Sequence, residues 1–278
     1  MNVGIFAKTF VRPSLGATLD AVRAHDLDCV QFNLACAGLP TLPDQLDPGV
    51  IERIRAATAT RGITLAAMSG TFNMCHPEAA ERAKNLVRLG VLAGACRPLG
   101  VSVITLCTGS RDRQDMWRRH PDNDTPEAWR DMRDCLGQAL QMAEACDVTL
   151  AFEPEVANVI DSARKGRRLL DEMRSPRLKV VMDAANLFHA GELARMPEIL
   201  AEAFDLLGRD MVLAHAKDLN HDGEAGNQAA GTGALDYDLY VRLLRGAGYN
   251  GPLILHSLDE AQVDPAVAFL RAKISTLT

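Results

Sequence analysis

Four short apolar segments in the second half of the sequence each end at a carboxylate or an imidazole. The segments are TLAFEPE, VVMDAAN, VLAHAKD and LILHS, and the residues that carry these groups are Glu153, Asp183, His215 and His256. Two carboxylates and two imidazoles suit a divalent cation such as Mn²⁺, Zn²⁺, Co²⁺ or Fe²⁺, whereas Mg²⁺ and Ca²⁺ prefer oxygen ligands alone. A cation would also offset the repulsion between two facing carboxylates, which otherwise raises one of their pKa values. The four residues therefore form a predicted metal site, if the fold brings them together.

Each of these residues has an ordinary explanation when it is taken alone. A carboxylate after a strand is often a helix N-cap or a solvated loop residue, and a histidine beside an apolar run is often structural. A metal site is predicted because all four residues stand at the ends of successive segments, roughly one strand-helix unit apart.

The elements that position these residues alternate along the chain between short apolar runs and longer amphipathic segments. The pattern predicts eight strands, at Val3–Ala7, Cys29–Asn33, Thr64–Ser69, Ser102–Leu106, Thr149–Phe152, Lys179–Met182, Met211–Ala214 and Leu253–Leu255. It predicts helices at Ser14–Ala24, Pro48–Thr60, Pro77–Leu99, Thr125–Ala145, Val159–Met173, Leu193–Leu207, Asp236–Gly246 and Asp264–Ser275. Eight strand-helix units favour an α/β fold, a closed (β/α)₈ TIM barrel, as a single domain over residues 1–278. An open doubly wound sheet is the alternative, but no G-x-G-x-x-G motif opens a helix after an early strand.

Single residues mark several of the predicted helix ends. Thr125, followed by proline and glutamate, has the pattern of an N-cap. Gly62 and Gly248 follow predicted helices and are expected to end them with a positive φ. In a (β/α)₈ barrel the active site lies at the C-terminal ends of the strands, which is where the predicted metal ligands stand.

Composition and charge narrow the class of protein. The chain has 278 residues, and 30 basic against 36 acidic residues give a net charge of -6. No dense cluster of Lys and Arg is present, so nucleic acid is not an expected partner. The first residues lack the features of a signal peptide and no run reaches membrane-spanning length, so we expect a cytoplasmic protein that does not contact a membrane. The seven cysteines form no C-x-x-C pair and are expected to be reduced packing residues.

The motifs TLAFEPE, VVMDAANL, VLAHAKD, GTGALDY and GYNGPLIL, in that order, resemble the xylose isomerase-like barrel superfamily. The likeness is to its sugar phosphate isomerase/epimerase branch, covers essentially the whole chain and is strongest over Val148–Ser257. In that branch a metal is typically held by Glu, Asp, His and Glu after strands five to eight. The resemblance therefore implies Glu153, Asp183 and His215 as ligands, while His256 stands where the branch has its second Glu.

Two departures from the branch affect the expected mechanism. Asn186 replaces a histidine that ketose epimerases of the branch usually carry, and His256 replaces a glutamate. The resemblance implies two opposed carboxylates that remove and return a proton beside a carbonyl, with a metal that stabilises the enediolate. A metal-bound imidazole nitrogen cannot also carry that proton. His256 is thus either a ligand, which puts the two-carboxylate mechanism in doubt, or a free acid/base beside a metal with three protein ligands.

Further residues are candidates for proton transfer and substrate binding. Glu153 or Glu155 is the expected base, and Lys217, in the H-x-K-D motif common in the branch, is the expected clamp for the substrate or its oxyanion. The expected substrate-binding residues are Asn73, His76, Asn186 and Asp218. His76 can equally be a residue that opens the following helix.

A long charged loop after the fourth strand, GSRDRQDMWRRHPDND, is expected to form a lid or an oligomer contact. Arg111, Arg113 and Trp117 in this loop can contact a phosphorylated or polyhydroxylated substrate, or they can face solvent. His189 and His221 are expected to be solvated loop residues.

These observations predict a metal-dependent isomerase or epimerase of a small sugar, ketose or sugar phosphate, which acts through enediolate-type proton transfer. A keto-inositol-type dehydratase would use the same metal and base to expel a β-hydroxyl, and a barrel that only binds a ligand is the alternative without catalysis. The apurinic-endonuclease branch shares the barrel but needs several metal ions and a basic surface, which the acidic charge balance disfavours. The expected partner is a small polyhydroxylated carbonyl compound, and a homo-oligomer is one option for assembly.

Overall fold

Eight parallel strands pair in chain order, and the last strand pairs with the first to close a barrel. The computed structural model describes residues 1–276. Each strand is followed by a helix, so the predicted (β/α)₈ barrel is confirmed and the open sheet is excluded.

The bounds of the elements follow the predicted alternation. The strands are β1 (Asn2–Phe6), β2 (Cys29–Phe32), β3 (Thr64–Ser69), β4 (Val103–Cys107), β5 (Thr149–Glu153), β6 (Leu178–Asp183), β7 (Met211–Ala216) and β8 (Pro252–Leu255). The helices are α1 (Leu15–Ala24), α2 (Pro48–Thr60), α3 (Ala79–Leu99), α4 (Pro126–Cys146), α5 (Ala163–Met173), α6 (Met196–Leu207), α7 (Tyr237–Gly246) and α8 (Val263–Thr276). The bounds of β3 and α2 agree with the sequence prediction.

The predicted helix ends have the expected local chemistry. The hydroxyl of Thr125 accepts a hydrogen bond from the backbone N–H of Ala128 and caps α4. Gly62 and Gly248 have φ values of 60° and 74°, a region in which glycine has no steric penalty. Both glycines therefore turn the chain away from the preceding helix toward the next strand.

Two helices begin three or four residues later than the sequence predicted. α5 begins at Ala163 and not at Val159, because the hydroxyl of Ser162 caps its first turn. α6 begins at Met196, after a short 3₁₀ turn over Leu193–Arg195 that the sequence pattern did not separate from the helix. Such differences at helix ends are expected when periodicity alone is used.

Small and branched apolar side chains fill the inside of the barrel, one from each of seven strands. This apolar plug consists of Phe6, Cys29, Ala67, Ala151, Val181, Leu213 and Ile254, all of which are buried. Gly4 belongs to the same region, because a Cβ at this position would lie 2.6 Å from Cδ1 of Ile254 and 2.9 Å from the carbonyl oxygen of Cys29. The plug closes the lower part of the barrel.

A second, larger apolar core lies between the barrel and the helices. Its largest fully buried side chains include Tyr240, Phe10, Phe32, Phe152 and Phe188. All seven cysteines are free thiols and five of them are buried, as predicted for packing residues. Within residues 1–276, no helix is long and apolar enough to cross a membrane.

Candidate metal centre and substrate cavity

A polar layer lies next to the apolar plug, toward the C-terminal ends of the strands. Alternate residues of a strand point to the same face, so the residue two positions after each plug residue also points into the barrel. These residues are Lys8, Gln31, Ser69, Glu153, Asp183, His215 and His256. All of them except Asp183 line a central cavity of about 360 Å³. The alternation of the strands thus explains why the residues that carry chemistry meet at one place.

The four predicted metal ligands come together in this layer. One ligand atom from each member of this four-residue cluster lies within 4.8 Å of the others; the members are Glu153, Asp183, His215 and His256. Nε2 of His256 lies 2.9 Å from Oδ2 of Asp183. Nδ1 of His215 lies 3.4 Å from Oε1 of Glu153. The cluster therefore has the compactness that a single bound cation requires.

Hydrogen bonding around His215 fits a cation at this cluster. Nδ1 of His215 faces Glu153 and Asp183, and it has no hydrogen-bond partner among the described residues although it is buried. Its other ring nitrogen, Nε2, lies 2.9 Å from Oε1 of Gln31. Buried polar atoms are almost always satisfied in folded proteins. An unpaired ring nitrogen between two carboxylates is therefore the arrangement expected of a ligand to a divalent cation.

The charges in the cluster act strongly on one another. Burial opposes ionisation of Asp183, but Lys217 and His215 outweigh it and hold the pKa of the Asp183 carboxyl well below its usual range. Burial also opposes protonation of His215, yet Glu153 and Asp183 outweigh it and raise the pKa of His215 to about 9. Burial and the charge of Lys217 lower the pKa of His256 to about 4. At neutral pH the metal-free cluster therefore holds a charged Asp183, a protonated His215 and a neutral His256.

Two further ionisable groups flank the cluster. Nζ of Lys217 lies 3.5 Å from Oδ2 of Asp183. Glu155 lines the cavity, is 2% exposed, and accepts hydrogen bonds from the N–H of Ala157 at 2.8 Å and Nδ2 of Asn158 at 2.6 Å. Burial raises the pKa of Glu155 to about 7, and the hydrogen bond from Ala157 opposes only part of this effect. A carboxyl group of this kind is suited to exchange protons near neutral pH.

Asn186 lines the cavity and contacts the cluster directly. Its Nδ2 donates a hydrogen bond to Oε1 of Glu153 at 2.6 Å. Its Oδ1 is buried and has no partner in the part of the chain that the structure describes. Asn186 therefore orients Glu153 and also has an acceptor available for a ligand, which is compatible with the predicted role in substrate binding.

The structure does not bring Asn73 and His76 to the cavity. Nδ2 of Asn73 donates to the carbonyl oxygen of Ser110, and its Oδ1 accepts from the N–H of Cys75. These bonds join the loops that follow β3 and β4. Nδ1 of His76 accepts from the N–H of Glu78, just before α3. Both side chains use their polar atoms in local structure, and for His76 this is the helix-entry role that the sequence left open.

Asp218, the last of the four expected substrate-binding residues, is also engaged within the fold. Its Oδ1 accepts from the N–H groups of Leu219 and Leu235, and its Oδ2 accepts from the N–H of Gly231. A Cβ at Gly233 would lie 2.4 Å from Oδ1 of Asp218, so the glycine-rich GTGALDY segment packs directly on this carboxylate. Asp218 thus shapes the loop after β7 and does not line the cavity.

The charged loop between β4 and α4 contributes one side chain to the cavity wall. Trp117 lines the cavity and is 48% exposed. Arg111 pairs with Asp131 at 2.8 Å and Arg113 pairs with Glu78 at 2.6 Å, and neither arginine lines the cavity. The loop also borders an open groove of about 750 Å³, but that groove contains no member of the four-residue cluster. The chemistry is therefore concentrated in the smaller central cavity.

Several cavity residues were missed by the sequence analysis. Gln31 stands in the strand CVQF, where a polar residue at an inward position is the signal that could have found it. Lys8 lines the cavity just after β1, while Glu224 and Asn227 line it from the loop after β7. No motif marks the last two residues. His221 lies in the same loop, with its Nε2 3.3 Å from Oε1 of Glu224, and more than half of its side chain is exposed.

Comparison with known proteins gives the family of the chain. The sequence profile of the xylose isomerase-like TIM barrel matches residues 19–273. The L-ribulose-5-phosphate 3-epimerase UlaE of Shigella boydii is 25% identical over 202 residues, which make up 73% of this chain and 66% of that protein. UlaE of Escherichia coli matches with the same identity and coverage. The chain therefore spans just under two thirds of the length of these relatives.

Solved structures of similar fold include enzymes named as epimerases. The 3-keto-D-glucoside 4-epimerase YcjR from E. coli superposes with a TM-score of 0.73 at 18% identity, over 98% of this chain and 99% of that chain. The IOLI protein, solved with a zinc atom, superposes with a TM-score of 0.77 at 15% identity, over 100% and 99% of the two chains. At these identities the superpositions establish the fold alone. Because the profile match covers most of the sequence and the barrel is closed, the chain belongs to the xylose isomerase-like TIM barrel family.

Proposed function

We propose that this protein is a metal-dependent epimerase or isomerase of a small sugar, which transfers a proton at the carbon next to a carbonyl group. The observation that carries the proposal is the four-residue cluster at the base of a polar cavity, with the buried Glu155 carboxyl and Lys217 beside it. The epimerase relatives UlaE and YcjR support the reaction class.

In this proposal the cluster binds one divalent cation through Glu153, Asp183, His215 and His256. When bound, such a cation acts as a Lewis acid that polarises a carbonyl and makes the neighbouring C–H more acidic. The zinc atom in the IOLI structure supports a metal of this kind. The remaining residues of the cavity orient the substrate and move its proton.

Glu155 is the proposed proton-transfer group. Glu153 belongs to the cluster, since its Oε1 faces Nδ1 of His215 and accepts from Asn186. Glu155 lines the same cavity two residues later on the chain and is not a member of the cluster. Its hydrogen bonds fix the direction of the carboxyl group, and its burial raises its pKa to about 7, which suits it to take up a proton and give it back.

Lys217 is the proposed partner of the oxygen on which negative charge develops. Its ammonium group lines the cavity, and the residue is 5% exposed. A fixed cation in a site of low water content stabilises such charge strongly, because the charge is weakly screened there. Removal of the proton by Glu155 and stabilisation of the oxygen by Lys217 would then occur on the same bound substrate.

His256 acts as a ligand in this proposal and not as a second base. Its Nε2 contacts Asp183 inside the cluster, and its Nδ1 lies 3.2 Å from Oγ of Ser257, which can fix the ring. Glu155 is therefore the proposed carboxyl group that exchanges the proton, in place of the two opposed carboxylates of the ketose epimerases. From one face of the substrate it can move a proton between neighbouring carbons in an isomerisation, whereas an epimerisation also needs a proton to be returned on the opposite face.

The proposal is tested by loading the protein with Zn²⁺ or Mn²⁺ and incubating it in deuterated water with ketoses, ketose phosphates and keto-inositols. Incorporation of deuterium beside the carbonyl, with an isomer or epimer as product, is the expected result. The Asp183→Ala variant is the control and should show no exchange. Loss of water with a new carbonyl absorbance would identify a dehydratase, and ligand binding without exchange would identify a non-catalytic barrel; either result contradicts the proposal.

A further inference from the structure

Gln31 lies at the centre of a buried polar network that ends at the four-residue cluster. Its Nε2 lies 2.9 Å from Oγ1 of Thr105 and 3.2 Å from Oγ of Ser69. Its Oε1 lies 2.9 Å from Nε2 of His215. Each of the four residues is 3% exposed or less. The network joins β2, β3, β4 and β7 across the barrel, at the wall of the central cavity.

The hydrogen bonds of Thr105 agree with an amide oxygen of Gln31 that faces His215. The Thr105 hydroxyl donates to the carbonyl oxygen of Met68 at 3.5 Å, so it offers Gln31 a lone pair and not a hydrogen. The NH₂ group of Gln31 therefore turns toward Thr105, and the amide oxygen turns toward His215. An oxygen acceptor at this place requires a hydrogen on Nε2 of His215.

We propose that Gln31 is a positioning residue that keeps the hydrogen of His215 on Nε2 and so directs the lone pair of Nδ1 at the cluster. Nδ1 is the ring nitrogen that faces Glu153 and Asp183, and nothing within residues 1–276 donates to it or accepts from it. The partner of the remote ring nitrogen commonly sets the tautomer and orientation of a histidine ligand. In the other tautomer an N–H group would point at the cation. The inference rests on the proposed function in one respect: the cluster is taken to bind a divalent cation.

Zinc affinity provides the first test, measured by competition with a chromophoric chelator. Gln31→Leu keeps the approximate size of the side chain but removes the acceptor, and we expect its affinity for Zn²⁺ to fall by about 10- to 100-fold. Gln31→Glu restores an acceptor and should remain within about tenfold of the wild type. Thr58→Val is the matched control, because it removes a buried hydroxyl that bonds within α2 and does not line the cavity. It should bind Zn²⁺ nearly as well as the wild type.

Nuclear magnetic resonance gives a second readout that does not depend on the stability of the Gln31 variants. In the zinc-loaded wild-type protein labelled with [¹⁵N]histidine, His215 should show a hydrogen on Nε2 that exchanges slowly with water. Its resonance is assigned by its absence from the His215→Asn spectrum. Unfolding midpoints in EDTA show whether any variant is merely less stable.

The results that overturn the inference are distinct from those that overturn the proposed function. Wild-type affinity in Gln31→Leu, equal losses in Gln31→Leu and Thr58→Val, or a hydrogen on Nδ1 of His215 in the zinc-loaded protein would each exclude the positioning role. These results would leave the metal centre in place. A wild-type protein that does not retain Zn²⁺ would exclude the metal centre itself, and the role of Gln31 with it.

Discussion

Nε2 of His256 lies 2.9 Å from Oδ2 of Asp183, at the position where the sugar phosphate isomerase/epimerase branch places a second glutamate. A glutamate there would put three carboxylates in the cluster. The histidine therefore makes the loaded cluster one unit less negative than a glutamate would, and it leaves the proton to a group outside the cluster.

Replacement of Glu155 tests whether this residue is the proton-transfer group. We expect Glu155→Gln to retain the metal and to lose deuterium exchange by about 10²- to 10⁴-fold, since an amide cannot accept the proton. Glu153→Gln is the comparison and should lose metal as well as exchange. Metal analysis and exchange rates on the same samples separate the two effects. If the rate of deuterium exchange in Glu155→Gln is within about tenfold of the wild-type rate, a residue other than Glu155 is the base.

Metal binding is expected to release a proton. The pKa of His215 in the metal-free protein is raised to about 9, so at pH 7 the ring carries a proton that must leave before Nδ1 binds a cation. Apparent metal affinity should therefore rise with pH up to about 9 and level off above it. Calorimetry at pH 7 in buffers of different ionisation enthalpy should show release of about one proton per metal ion. Binding heats that are independent of the buffer would contradict this.

A negative charge in the cavity wall is expected to weaken the binding of phosphorylated sugars. Lys8 and Lys217 line the cavity and no arginine within residues 1–276 does, while Glu224 adds a negative charge to the wall. Glu224→Gln should raise kcat/KM for ketose phosphates by about two- to fivefold and leave the value for free ketoses nearly unchanged. Added salt should reduce the difference. Glu198→Gln, on the exposed face of α6, is the control, and an equal gain in that variant would show that the effect is not local.

Two glycines give a matched test of packing inside the barrel. Gly4→Ala would place a Cβ against Ile254 and Cys29, and it should lower the free energy of unfolding by about 1–3 kcal/mol. Gly94 is an exposed residue within α3, and a Cβ added there would have no described atom within 4 Å, so Gly94→Ala should raise the free energy of unfolding by about 0.5–1 kcal/mol. Urea unfolding in EDTA measures both. Similar changes in the two variants would contradict the close approach of β1 to β8.

The barrel and the four-residue cluster could be predicted from the sequence because both depend on strand alternation. Apolar runs that end at Asp183 and His215 locate the C-terminal ends of β6 and β7, and parallel pairing then places these two residues side by side. Once the strands are known, the barrel fold therefore brings these side chains together.

The loop residues could not be predicted in the same way. Asn73 and Asp218 stand near strand ends, but their side chains satisfy backbone groups of neighbouring loops, and no periodic pattern encodes that direction. Gln31 was missed because one polar residue in an apolar strand gives no indication of its partner in sequence. Its contact with His215 spans 184 residues of the chain and exists only after the barrel has closed.

The most direct test of the account is the metal content of the purified protein after loading with Zn²⁺ or Mn²⁺ and dialysis. The wild type should retain roughly one ion per chain, and anomalous scattering from a crystal should place that ion among the four cluster residues. Asp183→Ala should retain almost none, while Asp205→Ala, which removes an exposed carboxylate on α6, should retain as much as the wild type. A wild type without metal, or Asp183→Ala with full metal content, would contradict the central claim.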